Sequence, residues 1–168
     1  MANEKVGAVL VVGGGVAGIQ AALDLADSGF KVYMIDKKPA IGGVMSQLDK
    51  TFPTNDCSMC ILAPKLAAAG RHPNITLITN AEVVGLSGEA GNFEVKILRK
   101  ARYIDEDKCN GCGICAQKCP VEAIDEYNQG LSERSAVYVL YPQAVPLKYM
   151  IDREKCIGCG TCLSLIHI

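Results

Sequence analysis

The sequence predicts an α/β fold in two parts, a βαβ unit over residues 1–100 and a smaller α+β domain over residues 101–168. Two patterns predict it. An apolar, β-branched run ends at Gly13-Gly14-Gly15 and is followed by a helix-like stretch and a second apolar run. All nine cysteines lie beyond residue 56, and seven of them form two tight groups after residue 100.

Gly7 to Val12 reads as a buried strand, and Gly13-Gly14-Gly15-Val16-Ala17-Gly18 fits G-x-G-x-x-G directly after it. A helix then runs to about Ser28, with Gly29 as the residue that ends it. Lys31 to Ile35 is a second strand, and Asp36 with Lys37 stands at its end, 18 residues beyond Gly18 in the case of the acid. Each position has a mechanical role. Gly13 permits the tight turn, Gly15 lets the backbone approach a pyrophosphate, and Gly18 lets helix and strand close on each other. Val16 and Ala17 open the helix, whose unpaired N–H groups and positive dipole end suit a phosphate. An acid at the end of the second strand meets a ribose hydroxyl. The reading is a Rossmann-like dinucleotide site, against a purely structural βαβ turn. Asn74–Thr79 and Glu82–Leu86 read as further strands, and the alternation of Phe93, Val95 and Ile97 with charged residues reads as a half-exposed one.

Length and composition agree. The 168 residues suffice for a core without disulfides. A formal charge of -1 gives no general drive toward nucleic acid, and 5% aromatic residues with no Trp argue against base stacking. Val6 to Leu23 lacks charge, but three consecutive glycines break it as a spanning helix, so no transmembrane segment is predicted. No cleavage site supports a secretory signal, and the cysteine pattern suits a reducing, cytoplasmic compartment.

Cys109-x2-Cys112-x2-Cys115-x3-Cys119-Pro120 is the bacterial-type run for [4Fe–4S] ligation. Gly111 and Gly113 keep its loop open to the inorganic core. The alternative is zinc, but zinc usually takes separated Cys-x2-Cys knuckles. A second run supplies Cys156, Cys159 and Cys162; where a fourth cysteine is due, the sequence has Ile166 and then His167. In two-cluster ferredoxins the fourth cysteine of each run serves the other cluster. Cys119 is therefore expected to complete the cluster of Cys156, Cys159 and Cys162, and the first cluster lacks a fourth thiolate in this chain. The expectation that follows is a fragment of a longer protein. The 36 residues between the runs include the strand-like Ala136–Tyr141 and read as an inserted excursion.

Cys57-Ser58-Met59-Cys60 follows a second glycine pair, Gly42-Gly43, and leaves three readings open: a redox dithiol, ligands of a further cluster completed from beyond this chain, or buried inert thiols. His72 and His167 are isolated, and neither is nominated as a catalyst.

Asp36-x5-Gly42-Gly43 resembles the FAD-binding half of flavoproteins with two dinucleotide folds, which favours FAD over NAD. Together with Asn55-Asp56-Cys57-Ser58-Met59-Cys60 and the inserted cysteine runs, it resembles the A-type subunit of heterodisulfide reductase, to which the A-type subunit of the quinone-interacting oxidoreductase is related. The resemblance implies a thioredoxin-reductase-like FAD domain interrupted by a ferredoxin-like domain with two [4Fe–4S] clusters. It also implies a β-meander whose backbone near Val83 lies against the adenosine. A Gly-Asp pair that meets the flavin in such proteins does not occur here, so the fragment alone is expected to be inactive. The implied function is an electron switch, in which FAD takes electrons from a hydrogenase or formate dehydrogenase partner. It divides them between ferredoxin and other subunits that reduce a CoM-S-S-CoB disulfide. A ferredoxin-type electron carrier without flavin is the alternative.

Overall fold

The computed structural model describes residues 7–165, which divide between Lys100 and Ala101 into two compact units. In the first unit β1 (Ala8–Val12) leads through the glycine turn into α1 (Val16–Asp27) and back into β2 (Lys31–Asp36). A 3-10 turn (Met45–Gln47) and two short strands, β3 (Lys50–Thr51) and β4 (Asp56–Cys57), precede α2 (Ser58–Arg71). Then come β5 (Ile75–Thr79), β6 (Ala81–Glu89) and β7 (Asn92–Arg99).

The parallel sheet has the order β1-β2-β5, with Val9 opposite Val32 and Val32 opposite Ile75. Two helices supply its core. Ile19, Ala22 and Ala26 of α1 and Leu62, Leu66 and Ala69 of α2 are buried with Val32, Met34 and Ile35 of β2. Their three- and four-residue spacing puts each set on one stripe of its helix. Each large aliphatic side chain so buried contributes roughly 1.5–3 kcal/mol.

Two expectations are corrected by this arrangement, and one element is added. Among the described residues β1 stands at the edge of the sheet rather than buried within it, and Val12 is 67% exposed. A continuous apolar run is the pattern of a parallel strand covered on both faces, and among the described residues no strand pairs with the far edge of β1. α2 is a full helix that the sequence did not announce, because Pro64 and Gly70 interrupt its pattern. The proline falls early in the helix, and the carbonyl it leaves unpaired belongs to exposed Cys60. The meander appears among the described residues as one hairpin, β6 with β7, bulged between Val83 and Gly85.

The second unit is built on short elements. They are α3 (Ile114–Gln117), β8 (Ala123–Ile124), β9 (Glu133–Arg134), β10 (Val137–Tyr138), β11 (Met150–Ile151) and α4 (Thr161–Leu165). β8 pairs with β9 and β10 with β11, all antiparallel. The expected strand at Ala136–Tyr141 shrinks to two residues, and buried Tyr141 instead stacks on Tyr127 at 5.4 Å. Ile104, Cys115 and Val137 form the core, with Cys109, Cys119, Tyr149, Ile151 and Cys162 packed against it. Arg134 ties the excursion to the second run, bonding Glu126 at 2.7 Å and Asp152 at 2.8 Å beneath the ring of Tyr138. Ile166 and His167 lie outside the described residues.

Candidate functional site

The glycine turn is held by its own main chain. Gly13, at φ +105°, donates its N–H to Ile35 O at 2.7 Å, and Gly42 N–H donates to Gly14 O at 2.7 Å. The second glycine pair is therefore part of the turn. A Cβ on Gly18 would stand 2.0 Å from Gly13 O, one on Gly14 2.4 Å from Ile41, and one on Gly43 2.9 Å from the Cα of Gly15. Those contacts are impossible, so three glycines are required by packing alone. Gly15 differs: the place of its Cβ is open space. A side chain there would fill the ground in front of the helix and nothing else. Gly15 is the N-cap of α1, no side chain caps that helix, and its first turn carries no acid. The N–H groups at Val16 and Ala17 thus face an uncluttered approach, which fits the pyrophosphate of a dinucleotide.

Asp36 is nearly buried, and its carboxylate orders the same turn. Oδ2 accepts from Gly14 N–H at 2.7 Å and Oδ1 from Lys38 N–H at 2.8 Å. Each oxygen keeps a second lone pair for a ribose hydroxyl. Lys37 beside it is exposed. Asn80 N–H donates to Lys38 O at 2.8 Å and fixes the start of β6, on which Val83 is about one-third exposed.

Cys57 and Cys60 are both exposed, which removes the reading of buried inert thiols. Cys57 is the N-cap of α2, and its Sγ accepts from Cys60 N–H at 3.3 Å. Ser58, fully buried, anchors this helix start through its hydroxyl to the Leu48 carbonyl and through its N–H to Asp49 O at 3.1 Å. The hydrogen bond between the two sulfur groups, with the Cys60 N–H, holds the Cys57 thiol below its ordinary value. The same bond, with desolvation, pushes Cys60 up. The pair is therefore asymmetric.

The two cysteine loops of the second unit share one construction. Asp105 accepts from Asp107 N–H at 3.0 Å and its carbonyl from Cys109 N–H at 3.0 Å; Asp152 does the same with Glu154 at 3.0 Å and Cys156 at 2.9 Å. Gly111, Gly113, Gly158 and Gly160 all have positive φ, from +70° to +80°. These left-handed positions turn the chain tightly enough to aim successive thiols inward.

The four-cysteine run does not converge on one place. Cys109, Cys112 and Cys115 line a cavity of about 160 Å³ together with Ile104, Tyr149 and Leu165. Cys119 instead lines a second, tighter cavity of about 20 Å³ with Cys156, Cys159 and Cys162. Among the described residues no three Cys, His, Asp or Glu side chains close around a single point, as they would around a mononuclear ion. A cubane takes one thiolate at each iron and so spreads its ligands. The donor set, all sulfur on glycine-bearing loops, fits such a cluster. Burial pushes the Cys115 thiol up, and hydrogen bonding to Thr161 lowers Cys159.

Sequence reasoning missed the segment Leu147–Tyr149, which lies along the first loop. Lys148 Nζ donates to Cys109 O at 2.6 Å, and Leu147 stands where a Cβ on Gly111 would be, at 2.9 Å. The signal was present: Tyr149 occupies the place before the second run that Arg102 occupies before the first, seven residues ahead of its leading cysteine. His72 is structural. It accepts from Asn74 N–H at 3.1 Å and meets Asp27 at 3.2 Å, joining the ends of α1 and α2.

Comparison with known proteins agrees with both halves. A family described as FAD dependent oxidoreductase matches residues 8–58, and a 4Fe-4S binding domain matches residues 102–125. The chain is 59% identical to an iron-sulfur A-type subunit of the CoB–CoM heterodisulfide reductase of Methanopyrus kandleri, over 88% of its own length and 22% of the relative. It is 62% identical to the A-type subunit of the H2:CoB-CoM heterodisulfide,ferredoxin reductase of Methanothermobacter marburgensis, over 82% of the chain and 21% of that protein. Thus it spans about a fifth of the length of these relatives. Among solved structures, thioredoxin reductase of T. acidophilum shares 23% identity over 52% of the chain and 29% of its own, with a TM-score of 0.45. L-proline dehydrogenase of P. horikoshii shares 26% over 57% and 20%, with a TM-score of 0.47. No helix among the described residues is long and apolar enough to cross a membrane.

Proposed function

Since the chain belongs to the family of heterodisulfide reductase A-type subunits, we propose that it is the part of such a protein in which FAD exchanges electrons with two [4Fe–4S] clusters. Gly13, Gly15, Val16, Ala17 and Gly18 bind the pyrophosphate. Asp36 and Lys37 orient the ribose end, Gly42 and Gly43 close the turn, and the backbone at Val83 borders the adenosine. FAD, when bound, supplies the exchange between two-electron and one-electron chemistry. Cys109, Cys112 and Cys115 hold one cluster; Cys119, Cys156, Cys159 and Cys162 hold the other. The observation that carries this reading is the separation of Cys119 from its own run into the cavity of the second.

In the complete cytoplasmic protein these electrons come from a hydrogenase or formate dehydrogenase donor. They go to ferredoxin and to other subunits that reduce a CoM-S-S-CoB type disulfide, by division at the flavin. The names of relatives that couple H2, or H2 and formate, to the CoB-CoM heterodisulfide and ferredoxin support this. Cys57 and Cys60 serve as two ligands of a further cluster whose other ligands lie outside this chain; their exposure and the N-cap position support it. The asymmetric hydrogen bond between them favours a redox dithiol as the second reading. Stepwise anaerobic reduction of flavin- and iron-loaded protein tests the main proposal. Bleaching of the flavin absorption should accompany the appearance of cluster signals by electron paramagnetic resonance; flavin that bleaches without any cluster signal would contradict it.

A further inference from the structure

Tyr149 is the one polar aromatic side chain in the lining of the first cavity. Its hydroxyl lies 2.9 Å from where a Cβ on Gly113 would be, so this glycine leaves room for that oxygen above the loop. The ring is fixed from the other side by the core of Ile104, Cys115 and Val137. Leu147 and the Lys148–Cys109 bond press the rest of the strap onto the loop. A phenol is a strong donor, and thiolate or sulfide sulfur accepts hydrogen bonds that stabilise the reduced, more negative cluster.

The two loops are otherwise matched. Ile104 and Asp105 precede the first run as Ile151 and Asp152 precede the second, with the same turn after each acid. The equivalent of Tyr149 is Arg102, a buried side chain paired with Glu106 at 3.3 Å. The frame is repeated while this position changes, along with Asn110 against Ile157 and Ile114 against Thr161; of the pair Tyr149 and Arg102, Tyr149 is the one that lines a cysteine cavity.

We propose that Tyr149 sets the reduction potential of the first cluster, by donating its hydroxyl hydrogen to a sulfur of the cluster held by Cys109, Cys112 and Cys115. This rests on the cluster assignment above. Tyr149 is a tuning residue; it transfers no proton and ligates no iron.

The test is a redox titration of the anaerobically reconstituted chain, followed by electron paramagnetic resonance. The first cluster is identified as the signal lost in Cys112→Ala. In Tyr149→Phe that cluster is expected to become harder to reduce, its reduced-to-oxidised ratio at fixed potential falling about three- to tenfold, where tenfold is about 59 mV for one electron. The second cluster should not move. Tyr103→Phe is the control, because Tyr103 is 50% exposed beneath Arg153 and away from the first cavity's lining. An unmoved first midpoint with both clusters loaded overturns the proposal, as does an equal shift of both. If Tyr149→Phe holds no first cluster, Tyr149→His restores a ring donor. Recovery of the iron with the wild-type midpoint supports the proposal, and recovery of iron without it overturns it. A wild-type chain that takes up no iron at all would instead remove the cluster assignment beneath it.

Discussion

At the scale of single residues the chemistry is decided by what each side chain is already bonded to. Asp36 orders the glycine turn before any ligand arrives, through Gly14 and Lys38. Replacing it with alanine leaves two N–H groups without their charged acceptor, at a cost of about 3 kcal/mol. Asp36→Ala should therefore weaken FAD binding about 100-fold in fluorescence titrations, and unchanged affinity would mean that the carboxylate does not shape the site. Cys57 offers a pH-dependent check. Its thiol is lowered by the hydrogen bond to Cys60, so its thiolate forms at a pH below that of an ordinary cysteine. Iodoacetamide should label Cys57 before Cys60 in iron-free protein at neutral pH, read by peptide mass spectrometry. Equal rates would count against the asymmetry.

At the scale of elements, the legible parts were those with a strong local rule. The fingerprint named β1, α1 and β2 because strand, glycines and helix follow one another without interruption. The cysteine spacing named both loops because only left-handed glycines allow such turns. α2 was illegible because its pattern is broken by Pro64 and its stability comes from contact with α1 and the sheet, which no local rule reports. The strap Leu147–Tyr149 was hidden for the same reason, being set by contacts with a loop some forty residues earlier in the chain. The second unit also depends on such a partner. Burial pushes the Asp152 carboxyl up, but hydrogen bonds from Arg134 and Glu154 outweigh it and leave it below the usual carboxylate range. A depressed carboxyl contributes stability above its unfolded value, and that contribution is lost as the pH falls through the folded value. The difference in urea midpoint between wild type and Asp152→Asn should thus be full near pH 7 and shrink in acid. A difference independent of pH would show that Asp152 acts only through packing.

At the scale of the whole molecule the chain joins a nucleotide turn to a cluster-binding unit whose first cavity is lined by three cysteines and whose second is lined by four. The two loops of the second unit are interdependent, because Cys119 follows the first run in sequence and stands with the second in space. Cys119→Ala should cost the second cluster far more than the first, seen as loss of one of two signals after reconstitution. Selective loss of the first cluster would mean that the run holds its own, and equal loss of both would argue against the crossed ligation.

The most direct measurement is the cofactor content and visible spectrum of the protein reconstituted anaerobically with iron, sulfide and FAD. Flavin bands on a broad brown absorption are expected, with iron and acid-labile sulfide in roughly equal amounts. A colourless protein carrying zinc or no metal under those conditions would contradict the assignment of both cofactors.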